Sequence, residues 1–385
     1  MSRIIVLGAG YAGLMAAVTV AARTKRNENV QVTVVNGAER FTERLRLHQT
    51  ASGQQVADLR IPDLLAGTGA EFVAGWITGI DAVARTVRVD DERVLEYDKL
   101  VYALGAVTDT AAVSGVDDHA YTFDSASDAE LLARRLAGLG SGTVAVCGSG
   151  LTGVEAAAEL AEQHPELDVV LVGRNEPGAA MGSKAKAYLR AGLERLGVRV
   201  RSGAEIVKVL PGSVELAGGD SIPADAVLWT SGVRVSPLAA AAGLEVDERG
   251  RIVVDATLRS VSHPEVYAVG DAAAIRQAYG VMHGTCQSGM PTGVHAAASI
   301  VRELRGKQPK PFRFGYYHTP VSLGRHDAVV QFTKPDSSPR RLALTGHRAV
   351  WYKETVSAAP WPTYGRIKKF PGQGSIWPRG GRFTR

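Results

Sequence analysis

One pattern constrains this chain more than any other, and it occurs twice: a short β-branched run, a glycine turn, and small apolar residues at helical spacing. Arg3 to Ala17 reads RIIVLGAGYAGLMAA, and Val144 to Leu160 reads VAVCGSGLTGVEAAAEL. In the first, Gly8 permits a tight turn, Gly10 lets backbone approach a pyrophosphate, and Gly13 lets the helix pack closely on its strand. Gly148, Gly150 and Gly153 repeat the spacing, with Ala157 in the place of Ala17. The helix N-terminus beyond each turn attracts anions. Among 43 glycines one such turn carries little weight, but two suggest two dinucleotides.

The 385 residues exceed one ordinary core, so two or three domains are expected. A hydrophobic share of 45% fits a soluble globular protein. No apolar run approaches the roughly 20 residues that cross a bilayer. MSRIIVLGAG runs straight into the first turn without a signal-peptide pattern, so a cytoplasmic location is expected. Cys147 and Cys286 lie far apart, neither in a CxxC pair, which argues against a disulfide framework. No metal site is read. The net charge of +5 is uneven: from Arg340 onward Arg341, Arg348, Lys353, Arg366, Lys368, Lys369, Arg379, Arg382 and Arg385 face one acid, Glu354. Such an end suits an anionic membrane surface, or is simply solvated.

Taken in order, Val30 to Val35 alternates as a second strand and ends at Asn36, where an acid usually accepts ribose hydroxyls. An Asn amide oxygen does so more weakly. Arg40 to Gln54, with Arg44, Arg46, His48 and Gln49, reads as a loop or irregular helix near the cofactor. Val73 to Asp81 and Arg85 to Val89 resemble a hairpin pair, and Tyr97 to Gly105 a strand that brings Ala103 and Gly105 beside a nucleotide. A linker to Thr110 follows, and then a helix near Asp124 to Gly138 capped by Ser125 or Ser127.

Val169 to Val172 ends at Gly173-Arg174-Asn175-Glu176. A carboxylate here holds a bare 2′-hydroxyl, whereas Arg suits a 2′-phosphate. Arg174 therefore favours NADPH, with Glu176 near enough to serve NADH instead. A helix around Lys184 to Leu196 precedes strands, and Ala226 to Gly232 closes in glycine. Val266 to Asp271, VYAVGD, places Gly270 and Asp271 at a strand end, where an acid suits a polyol hydroxyl of FAD. Thr292 to Leu304 reads as a helix with its positive end at the flavin ring. Phe312 to Phe332 reads as strands and Thr345 to Ala358 as a helix, with the last twenty or so residues extended or disordered.

GAGYAG at 8 to 13, YDKLVYALG at 97 to 105, CGSGLTGVEAA at 147 to 157, WTSG at 229 to 232 and VYAVGD at 266 to 271 resemble, in order and interval, the two-dinucleotide-binding flavoproteins. The resemblance covers about residues 3 to 305. It implies an α/β chain of two Rossmann-like, three-layer ββα domains plus an α+β C-terminal region. FAD would take residues 1–108 and 250–305, NAD(P)H residues 109–249, and residues 306–385 would form the C-terminal domain and basic tail. By the same resemblance Gly8, Gly10, Tyr11, Ala12, Gly13, Asn36, Arg44, Val73, Ala103, Gly105, Gly270 and Asp271 belong to the FAD site. Gly148, Gly150, Gly153, Arg174 and Gly232 belong to the NAD(P)H site.

No redox cysteine pair follows the first turn, which excludes dithiol chemistry. Within the superfamily the chain is most similar to type II NADH dehydrogenases, NADH:quinone oxidoreductases, which share TGVE at 152 to 155. That similarity makes Glu155 the leading catalytic candidate, near the nicotinamide and flavin rings. Its plainer role is an acid near the positive end of its helix. HGTCQSGMPTG at 283 to 293 matches the family's quinone stretch at Thr285 and Gln287. It has Cys286 for an Ala and Pro291 for a second Gln, which puts the quinone in question. The implied activity is hydride transfer from NAD(P)H to FAD and then to a quinone or similar small planar acceptor. Nucleic acid is not expected as a partner, while peripheral contact with the inner face of a membrane and a homodimer stay open. A biosynthetic flavin oxidoreductase with a dedicated substrate, and a non-catalytic nucleotide sensor, are the alternatives.

Overall fold

The computed structural model describes residues 1–385 except 373–375 and 385. The chain begins with β1 (Ser2–Leu7), α1 (Tyr11–Thr24), β2 (Val30–Asn36), α2 (Leu47–Ala51), β3 (Ala70–Ala74) and β4 (Lys99–Tyr102). A second series follows: α3 (Ala126–Ala137), β5 (Gly142–Cys147), α4 (Leu151–Gln163), β6 (Leu167–Gly173), α5 (Ser183–Arg195), β7 (Arg199–Ser202) and β8 (Ala226–Trp229). The chain returns through β9 (Val266–Ala268) and α6 (Cys286–Glu303). It ends with β10 (His318–Ser322), β11 (Ala328–Thr333), β12 (Pro339–Thr345), α7 (Gly346–Ala358) and α8 (Pro360–Lys369).

Two parallel sheets result, in the orders β9-β4-β1-β2-β3 and β7-β6-β5-β8. In both, the strand carrying a glycine turn is central, which puts the turn at the carboxyl ends where open α/β sheets bind ligands. Their strands read as continuous apolar runs because helices cover both faces: Val6, Leu7, Val34 and Leu100 are fully buried in one, Val144, Val146, Leu171 and Leu228 in the other. The crossing between units is a two-stranded ribbon, Ala106–Thr108 antiparallel to Val233–Val235, where a plain linker is expected from sequence. Ser125 caps α3 in a reciprocal capping box with Asp128, as its sequence predicts.

Three expectations are corrected. The run Val73 to Asp81 is two strands in two sheets, broken at Gly75 (φ +156°): Val73 pairs with Val35 in the parallel sheet, while Ile77–Asp81 pairs with Thr86–Val89. The helix expected from Thr292 starts at Cys286, because Thr285 and Ser288 form a capping box and Pro291 is accommodated inside it. The tail is ordered over much of its length. α8 buries Tyr364 and Ile367, with the Tyr364 hydroxyl donating to the Tyr11 carbonyl at 3.3 Å. Trp377 Nε1 then donates to the Arg313 carbonyl at 2.9 Å, while residues 373–375 and 385 lie outside the described residues. The basic end is therefore partly spent inward, since Lys353 is buried and Lys368 Nζ donates to the Leu64 carbonyl at 3.0 Å.

α6 packs directly on α1. A Cβ on Gly293 would lie 2.1 Å from the Ala12 carbonyl oxygen, so only glycine permits this approach. β10 to β12 form an antiparallel sheet whose Val321 and Val329, with Leu323 just beyond β10, share a core with α3, α4 and α5. Packing of this sheet brings the C-terminal region over the second unit.

Candidate functional site

Gly8 turns the chain at φ +87°, where a Cβ would sit 2.5 Å from the Ala103 carbonyl oxygen. On Gly13 a Cβ would lie 1.9 Å from the Gly8 carbonyl oxygen and 3.2 Å from the Ala103 Cβ. A Cβ on Gly10 would meet nothing within 4 Å among the described residues, and Gly10 as N-cap of α1 offers no side-chain acceptor, so the first-turn N–H groups beside Tyr11 and Ala12 stay free for an anion. Asn36 braces the turn: its Oδ1 accepts from Ala9 N–H at 2.9 Å and its Nδ2 donates to the Ala38 carbonyl at 2.7 Å. Val73 is buried beside it, and Gly105 takes φ +66° just beyond β4. Arg44 lies 4.0 Å from Asp124.

Asp271 follows β9 and has no hydrogen-bond partner among the described residues. Burial raises its pKa while the Arg44 charge opposes the shift. It faces a small open cleft lined also by Gly270, His283, Gly284 and Ser288. Gly284 approaches so closely that a Cβ would fall 2.2 Å from Asp271 Oδ1. A glycine cradle, a free helix end and an unclaimed carboxylate match a pyrophosphate and a polyol, so these residues fit FAD.

The second turn repeats the first. A Cβ on Gly148 (φ +129°) would lie 2.5 Å from Thr230 Oγ1, and one on Gly153 would lie 1.8 Å from the Gly148 carbonyl oxygen. Gly150 is the open N-cap of α4. Gly148 N–H donates to Val172 as Gly8 N–H does to Val35, so Gly173 is the counterpart of Asn36. No carboxylate occupies that position, and Ser149 fills the space a Gly173 Cβ would need. Arg174 follows, 75% exposed and 3.9 Å from Glu205. Gly232, at φ +75°, leads from β8 into the ribbon.

Glu155 of α4 is buried where the C-terminal region meets the second unit. Its Oε1 lies 2.8 Å from Lys353 Nζ of α7 and accepts from Ser322 N–H at 2.9 Å and Ser322 Oγ at 3.0 Å. Burial alone would raise its pKa, but the Lys353 ammonium and the Ser322 donor hold it below the ordinary carboxylate value. Its partners are thus not the end of its own helix. Gln287 bridges α6 to β10, its Nε2 donating to the His318 carbonyl at 3.1 Å and its Oε1 accepting from Tyr317 N–H at 3.3 Å. Thr285 is the N-cap of α6, its hydroxyl accepting from Ser288 N–H at 3.1 Å. Burial pushes the thiols up, Cys286 to about 11 and Cys147 to about 12, so both stay protonated and neither is an activated nucleophile.

Sequence reasoning misses Lys353, Ser322 and Glu159. Lys353 reads as one more charge of a basic end, and nothing local shows that α7 turns it inward. Glu159 does leave a trace, since EAAAE puts two acids one turn apart on a helix whose neighbours are small and apolar.

Two glycine-turn units, one suited to FAD and one to a pyridine nucleotide, define a flavin-dependent oxidoreductase. The chain belongs to the pyridine nucleotide-disulphide oxidoreductase family, which matches residues 2–299. It is an FAD-dependent NAD(P)H oxidoreductase. An NADH dehydrogenase-like protein of Mycobacterium tuberculosis is 32% identical over 383 residues, 93% of each chain. A type II NADH:quinone oxidoreductase of Staphylococcus aureus is 29% identical over 387 residues, covering 92% of this chain and 94% of that one. Among solved structures, NDH2 of Plasmodium falciparum in complex with NADH superposes with TM-score 0.79 at 16% identity, over 96% of this chain and 98% of that chain. The sulfide:quinone oxidoreductase of Aquifex aeolicus gives TM-score 0.78 at 17% identity, over 93% and 90%. No helix among the described residues is long and apolar enough to cross a membrane.

Proposed function

We propose that the chain oxidises NAD(P)H and hands the electrons to a quinone or similar small planar acceptor. The observation that carries this reading is the buried Glu155–Lys353 pair, a charged group kept ionised in a low-dielectric junction between the second unit and the C-terminal region. Bound FAD supplies the two-electron chemistry between donor and acceptor. The Gly8 to Gly13 turn and the α1 N-terminus would hold its pyrophosphate, with Asp271 on a polyol hydroxyl. The Gly148 to Gly153 turn and the α4 N-terminus would hold the pyridine nucleotide, with Arg174 beside the adenosine ribose. Glu155 would orient the nicotinamide or pass a proton at its carboxylate. The relatives named as NADH:quinone oxidoreductases support the quinone.

Thr285 and Gln287 would position the head of α6 and β10 around the acceptor rather than touch reacting atoms, given their internal hydrogen bonds. Trp351 and Leu342, 71% and 59% exposed, stand on α7 and β12 with Arg348 and Arg341, a surface suited to an anionic bilayer face. Steady-state oxidation of NAD(P)H with a water-soluble quinone tests the proposal. Turnover that depends on quinone supports it; turnover equal with and without quinone refutes it.

A further inference from the structure

α4 carries a second buried acid. Glu159 is fully buried one turn beyond Glu155, its Oε1 accepting from Gln54 Nε2. Its Oε2 lies 3.9 Å from Nε2 of His48 on α2, which is also buried. Neither atom has another hydrogen-bond partner among the described residues, and 3.9 Å is too long for a hydrogen bond. Two facing polar atoms are thus left unsatisfied by the protein in a buried junction, a costly arrangement that an ordinary core avoids. A closing shift of about 1 Å would join them.

We propose that Glu159 and His48 form a proton-delivery pair that feeds the Glu155–Lys353 site from solvent, so that they act as relay residues of this oxidoreductase. The inference rests on the function proposed above, and chemical balance calls for it. Oxidation of NAD(P)H by an acceptor that leaves as its dihydro form transfers a hydride, and the second proton comes from water. The Glu159 Oε2–H bond breaks as a proton passes to His48 Nε2. The imidazolium so formed, favoured by the Glu155 charge, releases its other ring proton to the Glu155–Lys353 site. Glu159 is then recharged from the half-buried side of α4, past Gln54 and Glu162. His48 thereby returns to its neutral form with the opposite tautomer, and ring reorientation resets it.

The surroundings keep the pair's proton on Glu159 at rest. Burial raises the Glu159 pKa to about 7, opposed by Gln54 and Arg325 and helped by Glu162 and Glu155. Burial lowers that of His48 to about 4, with Glu155 opposing and Lys353, Arg325 and Arg46 reinforcing. Glu354 ties Arg46 and Arg325 together at 3.0 Å each, which blunts their charge on the pair. From α3, Ala129 and Leu132 share the apolar cluster that holds α2 and bring no charge.

The experiment compares wild type with Glu159→Gln and His48→Gln, as flavin-loaded enzymes. Reduction by NAD(P)H under anaerobic conditions should stay within about twofold, while turnover with a soluble quinone falls at least about tenfold. Wild-type turnover should decline as pH rises through about 7, where Glu159 loses its proton, and E159Q should lack that limb. E159Q with unchanged turnover and an unchanged pH profile overturns the proposal. If wild type itself is not reduced by NAD(P)H, the function above fails, and infrared spectroscopy judges the pair separately. A protonated-carboxyl stretch that titrates near pH 7 and is missing in E159Q supports a proton held on Glu159. Its absence from wild type refutes it.

Discussion

Replacing Glu155 by Gln keeps the shape and an acceptor for Ser322 but removes the charge that Lys353 faces at 2.8 Å. Removing one partner of a buried ion pair typically costs about 3–5 kcal/mol, because the remaining charge stays desolvated. Since the amide still accepts hydrogen bonds, the lower end applies, about 3 kcal/mol. At about 2 °C per kcal/mol for a protein of this size, the melting temperature should fall by about 6 °C. The Glu155 pKa is depressed in the fold, so its contribution is complete above the usual carboxylate range and is lost as pH falls through the depressed value. The gap between E155Q and wild type should therefore be full at pH 7 and close in acid. Glu155→Gln with Lys353→Met, which leaves no stranded charge, should recover most of the loss. Thermal unfolding of the three proteins from neutral to acidic pH measures this. An E155Q protein that melts with wild type at pH 7, or a double variant no better than E155Q, would refute the reasoning.

Gly153→Ala places a Cβ 1.8 Å from the Gly148 carbonyl oxygen, so the protein should keep its flavin while its apparent affinity for NAD(P)H falls more than about tenfold; reduction rates against nucleotide concentration check this. Arg174→Glu, which puts a carboxylate beside the vacant acid position at Gly173, should shift the ratio of kcat/KM for NADPH over NADH at least about tenfold toward NADH. Tyr364→Ala empties a fully buried site against Tyr11 and Phe41 and should cost about 3–5 kcal/mol, read as a lower melting temperature. Reversing Arg341 and Arg348 to Glu should reduce cosedimentation with anionic vesicles but not with neutral ones.

The two glycine turns were legible because their requirement is local: β1 with α1 and β5 with α4 differ in sequence yet share spacing, and a Cβ on Gly13 or Gly153 would strike backbone within the same turn. Ser125 announced α3 for the same reason. The Ala-rich run from Thr292 shows only the later part of α6, whereas Thr285 and Ser288 start the helix before Pro291. Gly75 hid inside one apolar run because the choice between two sheets depends on which strands arrive later. α8 was missed because Trp361, Pro362 and Gly365 break any helical pattern, and its docking on α1, Phe41 and Leu64 stabilises it. The Glu155–Lys353 pair was illegible in principle. Its partners meet only after the C-terminal sheet has packed on α4, so neither charge has a local signature.

Anaerobic visible spectroscopy of the purified, flavin-loaded protein, titrated with NADPH and separately with NADH, tests the central claim most directly. The account predicts rapid bleaching of the flavin band by at least one nucleotide, fastest with NADPH if Arg174 reads a 2′-phosphate, and restoration of the band when a quinone is added. A protein that holds its flavin but is bleached by neither nucleotide would contradict it.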